Sequence, residues 1–240
     1  MNLPNLETTL KSTTDLHNRR QIASEASMGI STNAIYDKFE AHLRKLELTG
    51  SILDFGAGSG NFVLRLLEME RFSTITGVDL MDRPENLTTT IKWAAADLNF
   101  PTSFTDETFD VIVSPEVIEH LENPRAICRE WFRLLKPGGT LIFSTPNNES
   151  YRAIMALIFQ GHFVAFGDNC YPAHITALVR QDLTRILNET GFLAPDYVFT
   201  DHGSIPKFPK YKWHQISLGL LKGNRFSDNI LAITQKPVKM

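Results

Sequence analysis

Apolar residues recur along this chain with two alternating periods, and that alternation predicts the fold. In TNAIYDKFEAHLRKLEL, Ile35, Phe39, Leu43 and Leu46 fall on one helical stripe. SILDFGAGSG is a short apolar strand running into glycines, and NFVLRLLEMER then places Val63, Leu66 and Leu67 at helical spacing. TITGVDL is a second strand closing at Asp79, and TTIKWAAADL a third ending near Asp97. FDVIVS is continuously apolar, as a strand buried on both faces should be. A helix is predicted from about Pro115 to Leu135, stopped by KPGG, and TLIFSTPN follows as a fifth strand. QDLTRILNETGF reads as a helix with a terminal glycine, and PDYVFT and NILAITQK as two closing strands. Strands alternating with helices predict an α/β fold, a mostly parallel sheet covered on both faces.

In such sheets ligands bind beyond the carboxyl ends of the strands. Asp54, Gly56, Asp79, Asp97 and Glu116 all stand at or just after predicted strand ends. The glycines of LDFGAGSG let the chain turn sharply and bring its backbone close to a ligand. Their spacing is G-x-G-x-G; a dinucleotide fingerprint requires glycine where Asn61 stands, which disfavours a nicotinamide-dependent oxidoreductase. With no G-K-[ST], the loop is not a P-loop. Asp79, closing the next strand, is placed to accept hydrogen bonds from two ribose hydroxyls.

The ordered set ILDFGAGSG, GVDL, AADLN and FDVIVSPEVIEHL resembles the class I S-adenosylmethionine-dependent methyltransferases over about Ile52 to Phe192. The resemblance implies a Rossmann-like seven-stranded sheet with its last strand antiparallel, and S-adenosylmethionine as cofactor. It implies that Asp54 and the loop Gly56, Ala57, Gly58 and Gly60 hold the methionine moiety. Asp79, with Leu80 beside it, would hold the ribose, and Asp97 and Leu98 the adenine, with Ser114 beside the sulfonium. Only MDRPENLTTT separates Asp79 from the third strand, so the usual intervening helix is expected to be missing or reduced. A non-catalytic protein that binds the cofactor is the alternative from another class.

SPEVIEHLENP carries Glu116, Glu119 and His120 at i, i+3 and i+4, one face of the predicted helix. Ser114 suits its N-cap and Pro115 its first position. EVIEH also resembles the E-x-x-E-H element of ubiquinone-pathway O-methyltransferases and of small-RNA 3′-terminal 2′-O-methyltransferases. The latter resemblance adds His174 to the set. Two readings stand. Glu116, Glu119, His120 and His174 hold a divalent cation, Mg²⁺ or a transition metal, or His120 or His174 accepts the acceptor's proton without one.

The chain has 240 residues, 42% hydrophobic and 21% charged, with a net charge of −3. Residues 1–48 read as a helical N-terminal cap and 49–240 as the catalytic domain, with lid insertions at about 150–175 and 201–226. The first insertion is apolar; the second gathers Lys207, Lys210, Lys212, Lys222 and Arg225 among Phe208, Tyr211 and Trp213. Together they suit a small-molecule, lipid-linked or sugar acceptor and contact with a membrane surface. An RNA 3′ end is the alternative, disfavoured by the negative net charge. The opening MNLPNLETTLKSTTD has no apolar signal-peptide core, and the two cysteines lack knuckle spacing, so a cytoplasmic location is expected.

Overall fold

The computed structural model describes residues 18, 20–22, 29 and 31–238. Seven strands form one sheet: β1 (Gly50–Phe55), β2 (Phe72–Asp79), β3 (Lys92–Ala95), β4 (Phe109–Ser114), β5 (Leu135–Pro146), β6 (Asp196–Phe199) and, after a two-stranded hairpin, β9 (Asn229–Gln235). Their order is β3-β2-β1-β4-β5-β9-β6. Only β9 runs antiparallel, to both β5 and β6. This is the predicted doubly covered sheet with its last strand reversed.

One face is covered by α1 (Asn33–Lys45) and α2 (Asn61–Glu68), whose Ile35, Tyr36, Phe39, Leu43, Phe62, Val63 and Leu66 share a buried cluster with Ile52, Val111 and Ile142. Leu46, expected on the α1 stripe, lies past the helix end and is exposed; Tyr36 takes the inner position. The other face packs α3 (Pro124–Leu134) and α5 (Arg180–Thr190) around Trp131, which is fully buried against Phe55 and Phe143.

The helix expected from Pro115 does not form there. Glu116 has φ 53°, a left-handed conformation that no helix accommodates, so the chain turns, makes one 3-10 turn at Ile118–His120, and restarts as α3. Asn123 is the true N-cap, accepting from the Ala126 N–H, with Pro124 at the first helical position. Ser114 is the last residue of β4, and its hydroxyl donates to the Phe55 carbonyl at 2.7 Å.

The helix between β2 and β3 is absent, as expected. One side chain does much of its work: Arg83 donates to the carbonyls of Ile91, Leu87 and Thr88. The first insertion forms α4 (Tyr151–Gln160), N-capped by Ser150; the second forms a hairpin, β7 (Ser204–Ile205) and β8 (Phe208–Lys212), and a one-turn helix α6 (Trp213–Ile216).

Candidate active site

The β1–α2 loop, the ends of β2, β3 and β4, and residues from the N-terminal segment and the first insertion enclose a cavity of about 350 Å³. Gly56 and Gly58 are required by crowding as well as conformation. A Cβ on Gly56 would overlap the Val117 side chain, and one on Gly58 the Gly29 carbonyl oxygen; both have positive φ. The backbone is thereby exposed to the cavity between Asp54 and Asp79. Gly60 is the N-cap of α2 and Ser114 closes β4; neither is among the cavity-lining residues.

Asp54 lines the cavity, is 1% exposed, and neither carboxylate oxygen has a partner among the described residues. Burial, reinforced by neighbouring Asp79, holds its pKa well above the usual carboxylate range. Such a group is costly unless a ligand supplies a donor. Asp79 is aimed instead: its oxygens accept from the N–H groups of Gly58 at 2.7 Å and Met81 at 2.9 Å, while burial raises its pKa. Asp97, Ala57, Leu80 and Leu98 also line the cavity, where they were expected. Asp97 accepts from the Asn99 N–H and amide and from Arg20, whose guanidinium reaches 2.7 Å to Asp97 and 2.8 Å to Glu122. Arg20 therefore bridges Asp97 and Glu122 at the Asp97 side of the cavity. Nothing local in the sequence marks it, because its partners lie 77 and 102 residues away.

The 3-10 turn meets the first insertion. The Glu119 carbonyl accepts from the N–H groups of Ile175 and Thr176, which pins the segment carrying His174 beside His120. The two imidazole centroids are 4.7 Å apart. His120 Nδ1 lies 2.8 Å from the Ala173 carbonyl and His174 Nδ1 2.7 Å from the Ala165 carbonyl. A carbonyl only accepts, so both Nδ1 atoms carry the proton and both Nε2 atoms present lone pairs in the neutral rings. Burial and His174 push the His120 pKa down to about 4; burial lowers that of His174.

Glu119 is fully buried with both carboxylate oxygens unpartnered among the described residues; burial, then Glu116, raises its pKa strongly. Donor atoms of Glu119, His120 and His174 lie within 4.8 Å of one another. Glu116 is not in that group. The left-handed turn sends its carboxylate toward Asn229, which donates to it, and burial raises its pKa to about 7. Of the four expected ligands, Glu119, His120 and His174 fall in that group, and Glu116 lies beside it on the cavity wall. Tyr36, Phe62, Tyr171, Pro172 and Ile175 complete the lining; Tyr36 stacks on Phe62 at 5.0 Å.

A family model described as a methyltransferase domain matches residues 28–193. The chain is 30% identical over 131 residues to a ubiquinone biosynthesis O-methyltransferase of Pseudomonas entomophila, covering 48% of this chain and 52% of that protein. It is 24% identical over 166 residues to one of Psychrobacter arcticus, covering 65% and 64%. The chain spans about half the length of the curated relatives it matches first. Among solved structures, an S-adenosylmethionine-dependent methyltransferase from Archaeoglobus fulgidus superposes with a TM-score of 0.57 at 18% identity, over 84% of this chain and 94% of that one.

Proposed function

The chain belongs to the methyltransferase-domain family, in its class I S-adenosylmethionine-dependent branch, and from that premise we propose that it methylates an oxygen of its acceptor. The observation that carries the reading is a pair of orphaned carboxylates: Asp54, which lines the cavity, and Glu119, buried beside the lining residues His120 and His174. Asp54 suits the α-ammonium of S-adenosylmethionine, and Asp79, already oriented by two backbone N–H groups, suits the ribose hydroxyls. Bound there, S-adenosylmethionine supplies a sulfonium methyl group. Transfer of that group to an acceptor hydroxyl would require the hydroxyl proton to leave.

Glu119, His120 and His174 would manage that proton. They fit a divalent cation: each imidazole gives its Nδ1–H to a backbone carbonyl, as metal-ligating histidines do, and keeps Nε2 free. The carboxylate beside them lacks any other partner among the described residues. An Mg²⁺ or Mn²⁺ ion held there would supply Lewis acidity to an acceptor hydroxyl. The low proton affinity of His120 suits a ligand better than a base, whose pKa should lie near the working pH. The cavity is at the small end of the range of about 300–1,000 Å³ for ligand pockets, so the acceptor enters with its reacting end only, past Tyr171 and Ile175. A hydroxyl on a small-molecule, lipid-linked or sugar acceptor meets that requirement, and the O-methyltransferase relatives support oxygen as the target.

The test is methyl transfer from labelled S-adenosylmethionine to a panel of catechols, lipid-linked phenols and sugars, with and without chelator. Activity lost to chelator and restored by Mg²⁺ or Mn²⁺, and absent in Glu119→Gln with S-adenosylhomocysteine still binding, supports the reading. Full activity in excess chelator removes the cation and leaves His120 or His174 as base. No binding of S-adenosylhomocysteine at all would sink the proposal.

A further inference from the structure

Helix α4 is inside out. Its small residues, Ala153 and Ala156, are buried, while Tyr151, Met155, Ile158 and Phe159 point outward at i, i+4, i+7 and i+8. Ile158 is 66% and Phe159 73% exposed, so the stripe is an open apolar surface and not a seam. A second apolar element stands beside it. Phe226 packs its ring on Tyr151 at 5.4 Å and on Trp213 at 5.6 Å, which joins α4 to α6 and the turn after it. That turn presents Leu218 at 94% and Leu220 at 85% exposure, with Ile216 also exposed. Contiguous exposed apolar area of this kind marks a contact surface.

Charge says what the surface meets. From Gly203 to Phe226 the chain has Lys207, Lys210, Lys212, Lys222 and Arg225 and no acidic residue; from Tyr151 to Gly167 it has Arg152 and again none. Lys207, Lys210 and Lys222 are exposed and make no ion pair among the described residues. Exposed Phe208 and Tyr211 stand between the hairpin lysines. Large apolar side chains rimmed by unpaired cations and interfacial aromatics match an anionic bilayer, where apolar residues enter the headgroup boundary and lysines meet lipid phosphates.

We propose that the outer face of α4 and the 204–222 segment dock this protein on an anionic membrane surface. The face adjoins the acceptor side of the cavity: the chain leaving α4 supplies the Ala165 carbonyl that holds His174. If the oxygen-methylation reading above holds, the acceptor class this favours is a lipid-held one. Docking itself needs neither cofactor nor acceptor, so its test is independent of that reading.

The experiment is sedimentation of the full chain with phosphatidylcholine vesicles, with and without phosphatidylglycerol, in the absence of other ligands. Anionic vesicles should bind at least about tenfold more tightly than neutral ones, and salt should weaken the binding. Lys207→Glu with Lys210→Glu should reduce affinity by about 25-fold or more, about fivefold for each lost cation. Ile158→Ser with Phe159→Ser should reduce it at least about tenfold. Unchanged S-adenosylhomocysteine affinity in both variants establishes that they are folded. Equal binding to both vesicle types overturns the proposal. So does a soluble dimer that Phe159→Ser dissociates without vesicle binding, which would assign the face to a second copy. Retention of a short single-stranded RNA in place of vesicles would overturn it in favour of nucleic acid.

Discussion

Replacing Glu116 by Gln isolates the cost of placing an ionisable group beside the cavity. The amide keeps the shape and still offers Oε1 to the Asn229 N–H, so the hydrogen bond survives while the ionisation does not. Burial lifts the carboxyl pKa from 4.5 to about 7. In the unfolded chain the group loses its proton near the lower value. Between the two values the native state therefore holds more protons than the unfolded state, and stability falls as pH rises. The full effect is about 2.5 pK differences at about 1.4 kcal/mol each, or about 3 kcal/mol. Glu116 lines the cavity and retains some contact with solvent, so that figure is an upper bound. Glu116→Gln should thus exceed the parent in stability by about 1 kcal/mol at about pH 5, rising to about 3 kcal/mol above about pH 8. Urea midpoints measured across that range, without ligands, give the difference directly. A difference that stays flat with pH, or shrinks toward alkaline pH, refutes the reasoning. Because Glu116 lies outside the three-residue group, the variant should also keep Mn²⁺ affinity.

Asp54→Asn should raise the melting temperature of the ligand-free protein while weakening S-adenosylhomocysteine binding at least about tenfold, because it removes an orphaned buried carboxyl that, on the proposed reading, pairs with the cofactor's ammonium; calorimetric titration with a thermal scan reads both, and unchanged affinity would deny Asp54 that role. Arg20→Ala should accelerate S-adenosylhomocysteine release several-fold in stopped flow and abolish the salt dependence of that rate, since two ion pairs, to Asp97 and Glu122, hold that side of the cavity. Gly58→Ala should abolish cofactor binding and destabilise the fold by about 1–3 kcal/mol in urea, because the loop must take positive φ with the Gly29 carbonyl against it.

The sheet was legible because its signals are local. Continuous apolar runs gave the buried strands, and each strand-end acid stood where a parallel sheet collects its ligands. Asp54, Asp79 and Asp97 all line the cavity as expected. The error at Pro115 has a physical source. A serine, a proline and a glutamate imitate a helix start, and no residue type announces that Glu116 will adopt a left-handed turn; the Asn229 side chain that holds it arrives 113 residues later. Glu119, His120 and His174 came together all the same, through backbone hydrogen bonds from Ile175 and Thr176 and not through helical periodicity. Arg20 was illegible for a related reason, as an ion pair across such a span leaves no trace in spacing.

The missing helix between β2 and β3 alters how damage would spread through that side of the molecule. A helix distributes its carbonyls over many amide donors, so losing one side chain leaves the ladder intact. Here the carbonyls of Leu87, Thr88 and Ile91 all accept from one guanidinium, with Thr88 also accepting from the Ile91 N–H. Leu87 in turn packs against Gly60, and the Trp93 indole donates to the Met81 carbonyl. Redundancy has been exchanged for brevity. The β2–β3 connection is fault-intolerant at Arg83, a position remote from the chemistry, and a lysine there, with one point charge in place of a planar fork, cannot restore all three contacts.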